Sequence, residues 1–177
     1  GGAMVNTFHT RPKLINCMFN ANMTDARGGA IWNYWYSHAT LTNCTLSQNS
    51  ANDGGGIYNS GPSHATVVNS ILWGNSPNQF LNIDDSIPTV TYSTIQGDSL
   101  WPGEGNINAD PLFVYMPTGN LRLRRGSSCI DAGSTANAAV LDIDGESRGG
   151  DPVDMGADEF IDNDDDECPD HKDLGKF

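Results

Sequence analysis

The sequence predicts an all-β chain wound into a right-handed parallel β-helix (a solenoid) of about 4–5 rungs, with an irregular C-terminal cap and an acidic tail. Three observations carry that prediction. Gly1-Gly2-Ala3-Met4-Val5-Asn6 recurs as Gly28-Gly29-Ala30-Ile31-Trp32-Asn33 and as Gly54-Gly55-Gly56-Ile57-Tyr58-Asn59, at offsets of 27 and 26. A second block keeps the same spacing: Leu14-Ile15-Asn16-Cys17, Leu41-Thr42-Asn43-Cys44 and Val67-Val68-Asn69-Ser70, with Val90-Thr91-Tyr92-Ser93 as a divergent fourth copy. Between these blocks the pattern alternates in short stretches, without an amphipathic helical period and with too few regularly spaced Leu residues for a leucine-rich repeat. The right hand follows from the preference of parallel crossover connections.

Each element has a reason. The Gly pairs allow the turn that precedes a strand. Leu14, Leu41, Val67 and Val90 form an inward aliphatic column, with rungs stacked about 4.8 Å apart. Three Asn columns, Asn6/Asn33/Asn59, Asn16/Asn43/Asn69 and Asn22/Asn49/Asn75, suit bends. There the amide bonds backbone or the Asn above and below, and Asn tolerates left-handed backbone. Asn22-Met23-Thr24 and Asn43-Cys44-Thr45 match the glycosylation pattern, but both Asn residues belong to these columns and read first as structural. Cys17 and Cys44 share a column with Ser70 and Ser93, and read as buried free thiols because parallel stacking points their Cβ atoms the same way.

Beyond Val67 the text changes. Asn69-Ser70-Ile71-Leu72-Trp73-Gly74-Asn75 leads through Gly105-Asn106-Ile107-Asn108-Ala109-Asp110-Pro111-Leu112-Phe113 to Gly126-Ser127-Ser128-Cys129-Ile130-Asp131-Ala132-Gly133. Asp142-Ile143-Asp144-Gly145-Glu146-Ser147-Arg148 and Val153-Asp154-Met155-Gly156-Ala157-Asp158-Glu159-Phe160 follow. This ordered string over residues 69–160 resembles the choice-of-anchor Q type domain of bacterial surface β-helix proteins. The repeats of residues 1–68 resemble those of polymorphic outer-membrane proteins. The resemblance implies a secreted or surface-attached bacterial protein with a β-helical stalk ending in a terminal region. Cys129 departs from that pattern, standing where a small residue is expected, and is expected to point inward. The resulting division is rungs over 1–104, last rung and cap over 105–160, and tail over 161–177.

Composition narrows the function. The chain has 177 residues and a net charge of -13, which excludes most nucleic-acid binding. No run approaches the roughly 20 apolar residues of a spanning helix. No signal peptide is visible, so targeting information is expected upstream of Gly1 or already removed. Residues 1–100 carry five acidic and three basic side chains, the latter being Arg11, Lys13 and Arg27. That is thin material for a polysaccharide lyase, which needs a basic side chain beside cation-binding carboxylates. Asp84-Asp85, the only adjacent acidic pair there, would point to opposite faces if it lay in a strand. The reading is therefore a non-enzymatic, extracellular or cell-surface structural or adhesive protein. The alternative is a carbohydrate-binding or polysaccharide-processing β-helix.

Several features invite a site. Ser37-His38-Ala39-Thr40 and Ser63-His64-Ala65-Thr66 repeat, so His38 and His64 should stack below Arg11; an exposed turn is favoured over a metal pair. Trp32, Tyr34, Trp35 and Tyr36 form an aromatic cluster that either packs on a loop or offers a sugar or protein contact. In the tail, Asp162, Asp164, Asp166, Asp170 and Asp173, with the carbonyl of Cys168, have the spacing of a Ca²⁺ loop, and the stretch resembles the Asp-rich loops of thrombospondin type 3 repeats. Glu167 stands where Gly gives the sharp turn, so a solvated acidic linker is the alternative. Cys129 and Cys168 leave a cap-to-tail bridge open. Finally, the rung that starts at Gly1 presents unpaired strand edges, from which head-to-tail assembly into a filament is expected, with glycans as further partners.

Overall fold

In the computed structural model, which describes residues 1–149 and 152–161, the chain is a parallel β-solenoid of four rungs. Rung 1 comprises β1 (Met4–Asn6), β2 (Lys13–Ile15) and β3 (Met18–Asn20); rung 2 comprises β4 (Ile31–Tyr34), β5 (His38–Thr42) and β6 (Thr45–Ser47). Rung 3 holds β7 (Ile57–Ser60), β8 (His64–Val68) and β9 (Ile71–Trp73), and rung 4 holds β10 (Phe80–Asn82), β11 (Thr89–Thr91) and β12 (Thr94–Ile95). Corresponding strands pair in parallel into three walls, β1-β4-β7-β10, β2-β5-β8-β11 and β3-β6-β9-β12. The register is the one the repeats dictate: Ile31 faces Ile57, Leu41 faces Val67 and Val67 faces Val90. Phe80 completes the first wall opposite Ile57, a fourth copy hidden from the eye because the rung spacing falls from 26 to 23. Three residues are lost between Asn75 and Phe80, where the Gly run stood in earlier rungs.

The interior is a dry aliphatic stack. Ile31, Leu41, Leu46, Ile57, Val67, Leu72 and Ile95 are all buried. Each such side chain contributes roughly 1.5–3 kcal/mol on leaving water. Polar columns fix the bends. Asn6 donates to Asn33 at 2.8 Å, Asn33 to Asn59 at 2.8 Å and Asn59 to Asn82 at 2.7 Å. Asn22, Asn49 and Asn75 form a second such ladder. In the Cys/Ser column the backbone N–H of Cys44 donates to Ser70 Oγ, Ser70 N–H to Ser93 Oγ, and Ser93 N–H to Asn106 Oδ1. Asn106 thus extends the column past the fourth rung, and Ile107 bridges Thr94 beside it.

The third Asn column behaves differently, and the difference organises the rest of the chain. Asn16, Asn43 and Asn69 sit at φ of 51, 49 and 50°, and their amides point away from one another's rungs. Asn69 accepts from Ser134 N–H and donates to Ser134 C=O, both at 2.8 Å. Asn43 accepts from Ala139 N–H, and Asn16 donates to the Leu141 carbonyl. Residues 134–141 therefore descend the side of the solenoid from rung 3 to rung 1, one Asn per rung. Of the two expected kinds of partner, backbone and neighbouring Asn, this column takes backbone, and it takes it from a returning strap for which the three amides are a rack.

Closure of the last rung is brief. The Trp101 ring packs at a tilt on Phe80, 4.7 Å between centroids, and Asn106 donates to the carbonyl of Val90. From Ile107 onward the chain turns back, through the antiparallel hairpin of β13 (Phe113–Tyr115) and β14 (Asn120–Leu123), to cover the outside of the third wall. Ile71, Phe113, Leu121, Leu123, Cys129 and Met155 make a second core there. Gly156, at φ 106°, is held against that wall: a Cβ would lie 2.8 Å from Ile71 Cδ1. Among the described residues there is no α-helix, only 3-10 turns at Met116–Thr118 and Thr135–Asn137.

Candidate functional site

The three walls differ in what covers them. The third carries the strap, and the second leaves His38, Thr40, Thr66 and Val68 half-exposed among the described residues. The first carries an aromatic ribbon of its own. Alternation sends Ile31 and Asn33 inward and Trp32 and Tyr34 outward. Ring contacts then run without a break: Phe8–Trp35 at 5.1 Å, Trp35–Tyr34 at 5.7 Å, Tyr34–Trp32 at 5.5 Å and Trp32–Tyr58 at 6.2 Å between centroids. His9 stacks on Tyr36 beside it, at 5.3 Å and 10°. The predicted cluster Trp32, Tyr34, Trp35 and Tyr36 is thus brought together. Phe8, His9 and Tyr58 join it through register, which the offsets 8/35, 9/36 and 32/58 already encode.

The ribbon's turn is strained in a telling way. Phe8, His9, Trp35 and Tyr36 all have φ between 54 and 65°, a left-handed conformation that bulky side chains avoid. The same turn positions in rungs 3 and 4 hold Gly61-Pro62 and Asp84-Asp85. Phe8 is 64% exposed, and Trp35 and Tyr36 about 45%. Asp84 and Asp85 lie in this turn just after β10 and not in a strand, so their opposite-face expectation does not apply; Asp84 instead accepts from Gly61 N–H at 3.1 Å.

Where the ribbon meets the turns at 25–27 and 52–53, a cleft of about 300 Å³ opens, lined by Asp25, Ala26, Arg27, Trp32, Asn52 and Asp53. The Arg27 guanidinium lies over Trp32 (5.9 Å) and Tyr58 (5.4 Å) and pairs with Asp53 at 3.7 Å. Burial pushes the Tyr58 hydroxyl up, Arg27 pulls it down and Asp53 adds to the rise.

His38 and His64 stack as their repeat requires, at 5.1 Å and 19°, but they open strands β5 and β8 and are not in a turn. His64 Nδ1 accepts from Ile87 N–H. Burial lowers the His38 pKa first, and His64, Arg11 and His9 lower it further. Among the described residues no three His, Cys, Asp or Glu side chains gather to hold a metal. The expected Ca²⁺ ligands Asp162, Asp164, Asp166, Cys168, Asp170 and Asp173 lie outside the described residues.

Cys17, Cys44 and Cys129 are free thiols, and Cys44 and Cys129 are buried as expected. Cys17 is only half-buried, because rung 1 is the outermost described turn. Its thiol donates to the Ile15 carbonyl, and that of Cys44 to the Leu14 and Thr42 carbonyls; the neighbouring Cys44 lowers the Cys17 pKa to about 6, and the Cys44 pKa is raised. Burial drives Cys129 up to about 12. The two glycosylation-pattern residues are engaged structurally: Asn22 donates to Asn49, and Asn43 donates to Asp154 C=O.

Sequence reasoning missed a cluster of buried charges in the strap. Arg148 is wholly buried, ion-paired with Glu159 at 2.8 Å, and donates to Gly156 C=O. Asp142 accepts from the N–H groups of Asp144, Glu146 and Glu159. Asp154 accepts from Asp131 and Phe160 N–H, yet burial still lifts it to about 7. Asp158 is buried, neither of its carboxyl oxygens is hydrogen-bonded among the described residues, and Arg122 Nε lies 3.8 Å away. Burial, with Asp142 and Asp144 nearby, raises it to about 8 against the pull of Arg122.

The comparisons with known proteins fall on the rungs. A Chlamydia polymorphic membrane protein repeat model matches residues 43–60, the stretch from Asn43 in rung 2 to Ser60 at the end of β7. The match stops short of residues 69–160, on which the likeness to a choice-of-anchor Q domain rests. No curated protein matches the chain, and no solved structure does. The chain is therefore a parallel β-solenoid containing a stretch similar to the repeat of a membrane-protein family.

Proposed function

We propose that the chain is a non-enzymatic structural and adhesive solenoid displayed at a cell surface. One observation carries the reading. Two Asn ladders and the Cys/Ser column consume their polar groups in holding rung to rung, a third column holds the strap, and the aromatic ribbon on the first wall is left facing solvent. Exposed apolar patches of this kind mark interaction surfaces. The repeat likeness supports surface display, and the order of motifs over 69–160 supports a terminal region like that of choice-of-anchor Q proteins. An antibody against this chain tests the location: it should label intact cells, and labelling only after lysis would refute surface display. Beads coated with the chain should adhere to a target surface and lose adhesion on Trp35→Ala/Tyr36→Ala.

The second reading, a polysaccharide-processing enzyme, is favoured by the cleft at Trp32 with its two carboxylates; measurable cleavage of any neutral or acidic polysaccharide would establish it. Calcium binding over Asp162–Asp173 and head-to-tail filament formation belong to the same proposal. Calorimetric titration with Ca²⁺ tests the first, and light scattering over a concentration series tests the second.

A further inference from the structure

We infer that the cleft at Trp32, with the aromatic ribbon leading from it, is a binding site for a neutral glycan. The inference rests on the adhesive reading and names its ligand class. The strained turn is the starting point. Asp84-Asp85 make the same left-handed bend in rung 4 and Gly61-Pro62 turns the chain in rung 3, so the turn does not require aromatic side chains at Phe8, His9, Trp35 or Tyr36. Bulky side chains avoid left-handed backbone, and such strain concentrates where a site needs it. What it produces here is exposed ring surface in contact from Phe8 through Trp35 and Tyr34 to Trp32.

The cleft supplies the complementary half. A sugar ring has a C–H face that packs on an aromatic ring and an edge of hydroxyls that need paired donors and acceptors. Trp32 provides the ring, Asp25 and Asp53 acceptors, Asn52 both functions, and Arg27 donors. Arg27 is held in place by Asp53 and by the two aromatic faces beneath it. About 300 Å³ is at the small end of ligand pockets and suits one sugar unit, with further units running along the ribbon. Charge selects among glycans. Two carboxylates face one guanidinium in the cleft, Asp84 and Asp85 flank the ribbon, and the chain carries -13, so uronates and sulfated sugars are repelled.

The test is calorimetric titration of the full chain with three neutral hexasaccharides, β-1,4-linked glucose, N-acetylglucosamine and mannose, against hexagalacturonate. At least one neutral oligomer should bind, at least 10-fold more tightly than the uronate and with little salt dependence. Trp32→Ala should weaken binding at least 10-fold, and Trp35→Ala about 3–10-fold. Asn52→Ala, on an exposed turn that leaves the core untouched, should also weaken it and guards against a misfolded Trp32 variant. Absence of binding to all three neutral oligomers at about 5 mM, tighter binding of the uronate, or binding unchanged by Trp35→Ala and Asn52→Ala would overturn the inference. Beads that still adhere while no oligosaccharide binds would sink this inference and spare the adhesive reading. Oligosaccharide binding without bead adhesion would do the reverse.

Discussion

The rungs and the strap solve the same problem, pairing buried polar groups, with different chemistry. In the rungs the pairs are neutral and periodic: Asn33 bonds Asn6 above and Asn59 below, and Ser70 stands between Cys44 and Ser93. In the strap they are charged and unique: Arg148 with Glu159, Asp142 under three N–H groups, and Asp158 buried with neither carboxyl oxygen satisfied among the described residues. Neutral ladders do not titrate between pH 4 and 9, whereas buried carboxyls do. The Asn ladders of the solenoid are thus indifferent to pH, and they are clasped by a strap whose hold depends on it. Asn43 lies on the seam, rung residue by position and strap residue by partner.

The sharpest way to break that distinction is to delete one amide from each region. Asn33→Ala strands the partners of Asn6 and Asn59 inside the core, and should cost about 2–4 kcal/mol as a loss of global stability in urea. Asn43→Ala should cost a similar amount locally, freeing residues 134–160 to proteolysis while the rungs stay folded. If both variants expose the same peptides, rung and strap are one unit and the comparison fails.

Titration sharpens it further. Asp154 and Asp158 bind protons more tightly folded than unfolded, with folded pKa values near 7 and 8. Each therefore subtracts stability as pH rises from about 4, where the unfolded carboxyl ionises, until the folded group ionises as well. The groups facing them are Arg122, Arg148, Asp131, Asp142, Asp144 and Glu159, and neither Arg reverses the effect of burial. The strap should loosen between pH 5 and 8. Asp158→Asn should remove part of that slope and stabilise the strap by about 1–2 kcal/mol at pH 8, read as slower proteolysis.

Much of the rod was legible in the sequence because a period of 26–27 repeats its own test. Four copies of an inward aliphatic at Leu14, Leu41, Val67 and Val90 leave few alternatives. The stacking of His38 on His64 followed from one duplicated tetrapeptide. The strap was not legible, for a physical reason. The partners of Asn16, Asn43 and Asn69 lie 125, 96 and 65 residues away, in a segment with no period to align them. Phe80 was hidden by the three residues dropped ahead of it, and the ribbon was half-seen because Phe8 and His9 look like loop residues until rung register places them under Trp35 and Tyr36.

Smaller effects probe the rod alone. Cys17 should be the first thiol to react with iodoacetamide in native protein at pH 7, since its pKa near 6 makes it largely thiolate and it is half-exposed. Cys44 and Cys129 should react only after denaturation; equal labelling of all three in native protein would contradict the column geometry. Smallest of all, Trp35→Gly should change stability by less than about 1 kcal/mol, because relief of the left-handed backbone offsets lost ring contacts. A large loss would show that the ribbon supports the fold and does not merely ride on it.

Native-state hydrogen exchange at pH 5 and pH 8, corrected for intrinsic rates, tests the central claim most directly. The account predicts that the Ser134, Asp154, Glu159 and Phe160 amides lose protection at pH 8 while those of Cys44, Asn49 and Ser70 keep theirs. Equal loss in both sets, or a strap better protected at pH 8 than at pH 5, would contradict it.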